Sequence, residues 1–375
     1  MNFLRIIKKG LFIMSLGFIF SSCNKNENNI VLKDCQIEKD EKFESAIIKI
    51  SIASFNNLGF SLGDSVDVEF SNGSSYNDIP YYDGYYVKNG YPLVCAYPNN
   101  EYILITLNNT GIWDSAKLEN TTTVTIKLNE KEKYLDTQNA LGQTYSLEIS
   151  DYTDKYEFAN FRSLKGGLLK DDLIFRGASP VDNSRKRANV VDSILKEKNI
   201  KCVIDLADSK TNIESYIINT TYSFPYTKDL YDNNKMILLS MSSSYGSNTY
   251  KESVVKGFRF MLDNEGPYYI HCMEGKDRTG FVCLLVEALA GASVEELKED
   301  YMSTYYNYYK ISEKDTKKYD AIVNLYFNSF LEFLSSESDT NKLYELNYKN
   351  YVISYLKDGN MTDEEINSFI SLITK

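Results

Sequence analysis

The chain has 375 residues, a formal net charge of −11, one histidine and 43% hydrophobic residues. That length suits two domains, and the hydrophobic share can bury a core. The acidic balance argues against nucleic acid as a partner, because that needs a basic face.

The N-terminus reads as a processing signal. Arg5, Lys8 and Lys9 form a basic start, and 11–20 is apolar but shorter than the roughly 20 residues of a spanning helix. Ser21 and Ser22 then precede Cys23. Residues 1–22 are expected to be a signal peptide. Small residues directly before a cysteine resemble a bacterial lipobox, with Phe20 where leucine is usual. The resemblance implies a lipidated Cys23, a linker over 23–30, and export to the outer face of a bacterial membrane. The alternative is an ordinary cleaved signal with Cys23 incidental.

Residues 31–149 carry a β pattern. Segments 45–54 and 65–70 alternate apolar and polar residues, a turn falls at Asn72-Gly73, and 102–107 and 122–128 read as further strands. Residues 80–86 form an aromatic-rich turn whose tyrosines either pack strands or offer a stacking surface. The expectation is a small all-β sandwich or barrel with no catalytic cluster. Cys35 and Cys95 are candidates for a disulfide outside the cell.

Over 150–375 strands and helices alternate. Asn160-Phe161-Arg162 comes first, then Arg176-Gly177-Ala178-Ser179. Residues 190–198 read as an amphipathic helix, 201–207 as a buried parallel strand, 236–241 as another strand and 249–263 as a helix. Residues 267–270 read as the central strand and 281–290 as a helix, so an α/β sheet with parallel members is expected. Ser293 with Glu296 forms a capping box, and 319–334 and 343–356 have helical apolar faces. Thr362 with Glu365 caps the last helix. Cys202 and Cys283 fall on apolar faces and read as core.

Between the central strand and its helix runs I-H-C-M-E-G-K-D-R-T-G, residues 270–280. Cys272 offers a sulfur nucleophile. Arg278 offers a planar fork of donors for two phosphate oxygens. Gly275 permits a sharp turn and close backbone approach. The amides of Met273, Glu274, Gly275 and Lys276 onward can then form an anion-binding nest that leads into a helix start. Thr279 can donate its hydroxyl to the sulfur when the sulfur leaves. Asp277 is the first candidate for a general acid. Asp205, Asp208, Asp229 and Asp232 are upstream acids that stay open as alternatives.

This segment resembles the signature loop H-C-x-x-G-x-x-R-[ST]-G of the cysteine-dependent protein tyrosine phosphatases. Lys276-Asp277 before the arginine resembles a bacterial branch of tyrosine and dual-specificity phosphatases, some of which also accept phosphoinositides. Asn160-Phe161-Arg162 and residues 174–180 resemble the opening of that branch, with Gly177 where serine is usual. Ala207 stands where the branch often has arginine. The resemblance implies a tyrosine-phosphatase-like sheet flanked by helices over 150–375. It implies hydrolysis of phosphomonoesters through a thiophosphoryl enzyme with no metal or other cofactor, His271 bracing the loop, and Arg176, with Arg162, facing phosphate; the alternative for either arginine is a pairing with an acid at the surface. Phosphotyrosine or another phosphoprotein is the expected substrate. The alternatives are a phosphoinositide or inositol phosphate, with Lys276 and outer arginines reading extra phosphates, and a non-catalytic surface binder of phosphorylated ligands.

Overall fold

The computed structural model describes residues 30–375, apart from 41–43, 89, 99, 109–110, 220 and 243. The signal peptide, Cys23 and all of the linker except Ile30 lie outside the described residues.

Seven strands, β1 (Val31–Lys39), β2 (Ala46–Ser51), β3 (Ser65–Phe70), β4 (Ser75–Tyr82), β5 (Pro92–Cys95), β6 (Tyr102–Leu107) and β7 (Thr123–Glu130), close a barrel. Their order is β1-β2-β6-β5-β4-β3-β7, and β4–β5 is its parallel pair. Alternate residues turn inward: Val66, Val68 and Phe70 of β3 meet Val124 and Ile126 of β7 in one buried cluster. Closure leaves no sheet edge to protect.

The expected barrel is therefore present, with local corrections. Residues 80–82 extend β4 rather than turning. Strand β2 stops at Ser51, whose hydroxyl accepts the Ser54 amide at 3.1 Å and starts the helix Ile52–Asn57. Cys35 and Cys95 are free thiols, because β2 and β6 stand between their strands.

The second unit holds a five-stranded sheet: β8 (Arg162–Ser163), β9 (Ile174–Gly177), β10 (Cys202–Asp205), β11 (Met236–Leu238) and β12 (Tyr268–His271), in the order β11-β10-β12-β9-β8. Strands β9 to β12 run parallel and β8 is antiparallel at one edge. The short central strands are buried on both faces. Ile204 and Ile270 pack under the helices Asn248–Leu262 and Asp277–Leu289, while Val203 and Tyr269 pack under Ala188–Glu197. Register pairs Asp205 with His271 and His271 with Gly177, so three strands end together at one edge. Ligands of open α/β sheets bind at that edge.

The helix expected over 319–334 is present as a continuous run over 316–335, with a π-helical turn Val323–Phe327 set between Thr316–Ile322 and Asn328–Ser335. Two ion pairs seat the barrel against this region, Lys88 with Glu332 at 2.8 Å and Lys317 with Asp136 at 2.7 Å. No helix among the described residues is long and apolar enough to cross a membrane.

Candidate active site

Strand β12 delivers Cys272 to the sheet edge, and the helix Asp277–Leu289 begins within the loop that follows. Between them the backbone is turned inside out. The Met273 carbonyl accepts from the Ser179 amide at 3.1 Å, and Glu274 O accepts from the Tyr308 hydroxyl at 2.7 Å. Gly275 O accepts from Arg176 Nη2 at 2.8 Å, and Asn160 Nδ2 reaches both Glu274 O and Gly275 O. The N–H groups of residues 273–278 meet no acceptor among the described residues, and Lys276, the helix N-cap, supplies no side-chain cap. Such unpaired amides around a helix start form an anion-binding nest.

Gly275 is required twice. Its φ is +67°, and a Cβ there would lie 2.2 Å from the Gly177 carbonyl oxygen. Gly177 is tight in turn, since its own Cβ would lie 2.6 Å from the Tyr269 hydroxyl, which donates to Ala178 O. This explains glycine at 177 in this chain.

Cys272 sits on the floor of the nest, 4% exposed, while the Met273 side chain is exposed at the rim. Arg278 Nη1 donates to Met241 O at 3.0 Å, and its Nε and Nη2 have no protein partner among the described residues. The Thr279 hydroxyl is buried without a partner. Burial pushes the Tyr250 hydroxyl well above its ordinary value, and the charges of Cys272, Arg278 and Asp277 also reach it. Lys276 lies between Glu274 and Asp277, at 3.8 and 3.9 Å. Glu274 is held below the usual carboxylate range because Lys276, the Tyr145 hydroxyl at 2.5 Å and Arg185 outweigh its burial.

Arg176 corrects the sequence expectation. It is fully buried, with Nη1 on Asp300, Nη2 on the Gly275 carbonyl and Nε without a partner among the described residues, so it braces the loop from behind and does not face phosphate. Arg162 also turns away, with Nε donating to Asp300 Oδ1 at 2.6 Å and Nη1 to Asn160 Oδ1 at 2.8 Å. The two guanidiniums overcome burial and hold Asp300 below its ordinary value, whereas burial and the Asp300 charge push the neighbouring Glu287 well above. Asp300 therefore keeps the charge and Glu287 the proton.

His271 is wholly buried. Its Nδ1 lies 3.2 Å from the Cys272 carbonyl, which can only accept, so Nδ1 carries the proton. Burial pulls its pKa down to about 4, leaving the ring neutral. Beside it, burial raises Asp205 to about 6, and burial with the Asp205 charge raises Asp208 to about 7. Asp229 and Asp232 lie on the helix Pro225–Asp232 and bond to its own neighbours, Asn233 and Lys228, so neither reaches in from a lid.

Asn160, Asp300, Tyr308 and Tyr145 were not singled out as site residues from sequence. Asn160 left a signal as part of Asn-Phe-Arg, and Asp300 and Tyr308 as part of the tyrosine-rich segment 299–309, which resembles the helix that follows the loop in the family and reads as packing against the sheet.

Unpaired amides thus run along the loop from Cys272 to Arg278, whose Nε and Nη2 have no protein partner among the described residues. The chain belongs to the tyrosine phosphatase family, whose model matches residues 156–374. No curated protein matches. Among solved structures, an uncharacterized conserved protein from Thermotoga maritima is similar at 15% identity and a TM-score of 0.22, covering 24% of this chain and 35% of that one. The match thus spans about a third of that protein's length. The core catalytic domain of a PP-IP phosphatase from S. cerevisiae, solved with citrate, is similar at 17% identity and a TM-score of 0.27, covering 49% of this chain and 93% of that one.

Two outcomes follow from the bracing. Asp300→Ala leaves two buried guanidiniums without their anion and should cost about 3–5 kcal/mol in urea unfolding, with weaker inhibition by inorganic phosphate. A small loss with unchanged phosphate inhibition would contradict the bracing role. Asp208, pushed up to about 7 when folded against an ordinary value of 3.8, binds a proton that the unfolded chain has lost between those values. Its stabilisation is present below about pH 4 and is lost as pH rises through about 7. Asp208→Asn should therefore flatten the fall in urea midpoint between about pH 4 and about pH 7; an unaltered fall would refute it. His271 works in the opposite direction between about 4 and 6.5, and because the Asp208 charge helps to hold its pKa up, the substitution shifts it further down and adds to the flattening.

Proposed function

We propose that the protein hydrolyses single-phosphate aryl esters, phosphotyrosine in protein substrates foremost, through a covalent Cys272 phosphate. The reading rests on the unpaired amides of residues 273–278 closed around that sulfur. The Cys272 thiolate attacks phosphorus, an S–P bond forms, and the ester P–O bond breaks. Loop amides and the Nε and Nη2 of Arg278 hold the equatorial oxygens as charge spreads over them. Asp277 protonates the departing oxygen. Water then attacks phosphorus, the S–P bond breaks, and the proton of that water returns to Asp277. Thr279, with an unpartnered hydroxyl, supplies a hydrogen bond to the departing sulfur.

The cations around the loop favour one phosphate over several. Lys276 is flanked by Glu274 and Asp277, Arg185 is paired with Glu274, and Arg162 and Arg176 are committed to Asp300. Few positive charges remain to read the extra phosphates of a phosphoinositide. Export and a lipid anchor at Cys23 complete the proposal, supported by the basic start, the apolar stretch and the small residues before that cysteine.

Cys272→Ser should lower aryl phosphate hydrolysis at least about a thousandfold, and vanadate should inhibit the wild type competitively with a chelator present. Turnover that survives loss of the sulfur would end this reading. Asp277→Asn should slow phenyl phosphate about a hundredfold and p-nitrophenyl phosphate much less. Equal slowing on both would move the acid role away from Asp277. A phosphotyrosine peptide should be turned over faster than a phosphoinositide in parallel assays.

A further inference from the structure

We infer that the barrel forms one wall of the substrate cleft, and that Tyr86 of the barrel and Tyr326 of the catalytic unit grip the aromatic ring of the leaving group. This rests on the phosphatase reading above and deepens it.

The Lys276–Asp277 shoulder of the loop faces tyrosines. Lys276 Nζ lies 5.8 Å from the centroid of the Tyr305 ring. Tyr305 stacks on Tyr309 at 5.9 Å and on Tyr326 at 6.5 Å, the latter with an interplanar angle of 15°. Tyr326 sits in the π-helical turn Val323–Phe327, a distortion that often marks functional positions.

Tyr86 comes from the connection between β4 and β5. Its ring packs on Tyr82 at 5.6 Å and covers Gly84, where a Cβ would lie 2.5 Å from the ring. The connection is fastened at both ends. Asp83 Oδ1 accepts from Gln138 Nε2 at 2.8 Å, and Lys88 pairs with Glu332 on the helix that follows the π turn. Burial and Asp83 raise the Tyr86 hydroxyl well above its ordinary value. The Lys88–Glu332 pair lays the connection that carries Tyr86 against the helix that follows Tyr326, and Tyr326 leads through Tyr305 to Lys276 of the loop.

The chemistry sets what fits there. An acid at Asp277 has to touch the leaving oxygen, so the groups around Asp277 surround the leaving group. Its charge reaches Tyr305, Tyr309 and Tyr326. Tyr86, Tyr309 and Tyr326 are only half-buried. A phenyl ring set among them gains stacked and edge contacts that an alkyl chain does not. Asp83, Glu274 and Asp277 together repel an acidic headgroup.

The test uses the full chain. Tyr86→Ala and Tyr326→Ala should each raise KM for a phosphotyrosine peptide about three- to tenfold with little change in kcat. Inhibition by inorganic phosphate, which fills only the nest, should stay at the wild-type value, and Tyr86→Phe should behave as wild type. Lys88→Glu should raise KM in the same way, and adding Glu332→Lys should restore it. An unchanged KM in Tyr86→Ala, or phosphate inhibition that weakens in step with KM, would overturn the inference. If Cys272→Ser is inactive while Tyr86→Ala is normal, the wall fails and the phosphatase reading stands.

Discussion

The site depends on one constraint, the outward pinning of the carbonyls in residues 273–275. Buried backbone groups need partners, and Ser179, Asn160, Tyr308 and Arg176 supply them for the oxygens alone. With the oxygens tied outside, the amides face inward and stay unpaired. A helix that starts without a side-chain cap is ordinarily a weakness; here it is a demand for an anion. Gly275 and Gly177 make this possible because only bare backbone fits where the two strand ends meet.

The parts closest together in sequence were the most legible. The strand, loop and helix over 267–290 were read correctly because their signals are contiguous. Segment 65–70 matched β3 through its apolar–polar alternation, and 102–107 matched β6 as a short apolar run buried on both faces, both of them local signals. The barrel tyrosines were harder: residues 80–82 look like a turn because of Pro80, yet they complete β4. The helix Lys210–Ile218 left no signal, since it has little amphipathic contrast and leans on the capping box of Ser209 with Asn212. Arg176 was expected at the phosphate because an arginine beside a phosphate-binding motif suggests it. Its true partner, Asp300, lies far along the chain, and no local pattern announces a buried ion pair.

The two units are better regarded as one working surface than as an enzyme with an appendage. The strap that leaves the barrel carries Tyr145, which stacks on Tyr308 at 4.6 Å and donates to Glu274 of the loop. Arg187 lies over four rings, Tyr145, Tyr152, Phe158 and Tyr308, and fastens this strap with contacts that desolvated cation–π geometry strengthens. On the opposite flank Lys88 and Lys317 hold the barrel by charge. Movement of the barrel would therefore be felt at both shoulders of the loop.

The braced cluster beneath the loop has an electrostatic consequence of its own. Arg162 and Arg176 carry two positive charges, Asp300 one negative charge, and Glu287 is neutral. One positive charge is left over, with Arg176 fully buried and Arg162 and Asp300 only slightly exposed. It acts as a fixed counter-ion, present before any ester arrives and screened less by salt than a surface charge would be. An acidic protein thereby keeps an attractive floor for a dianion where its surface as a whole would push one away.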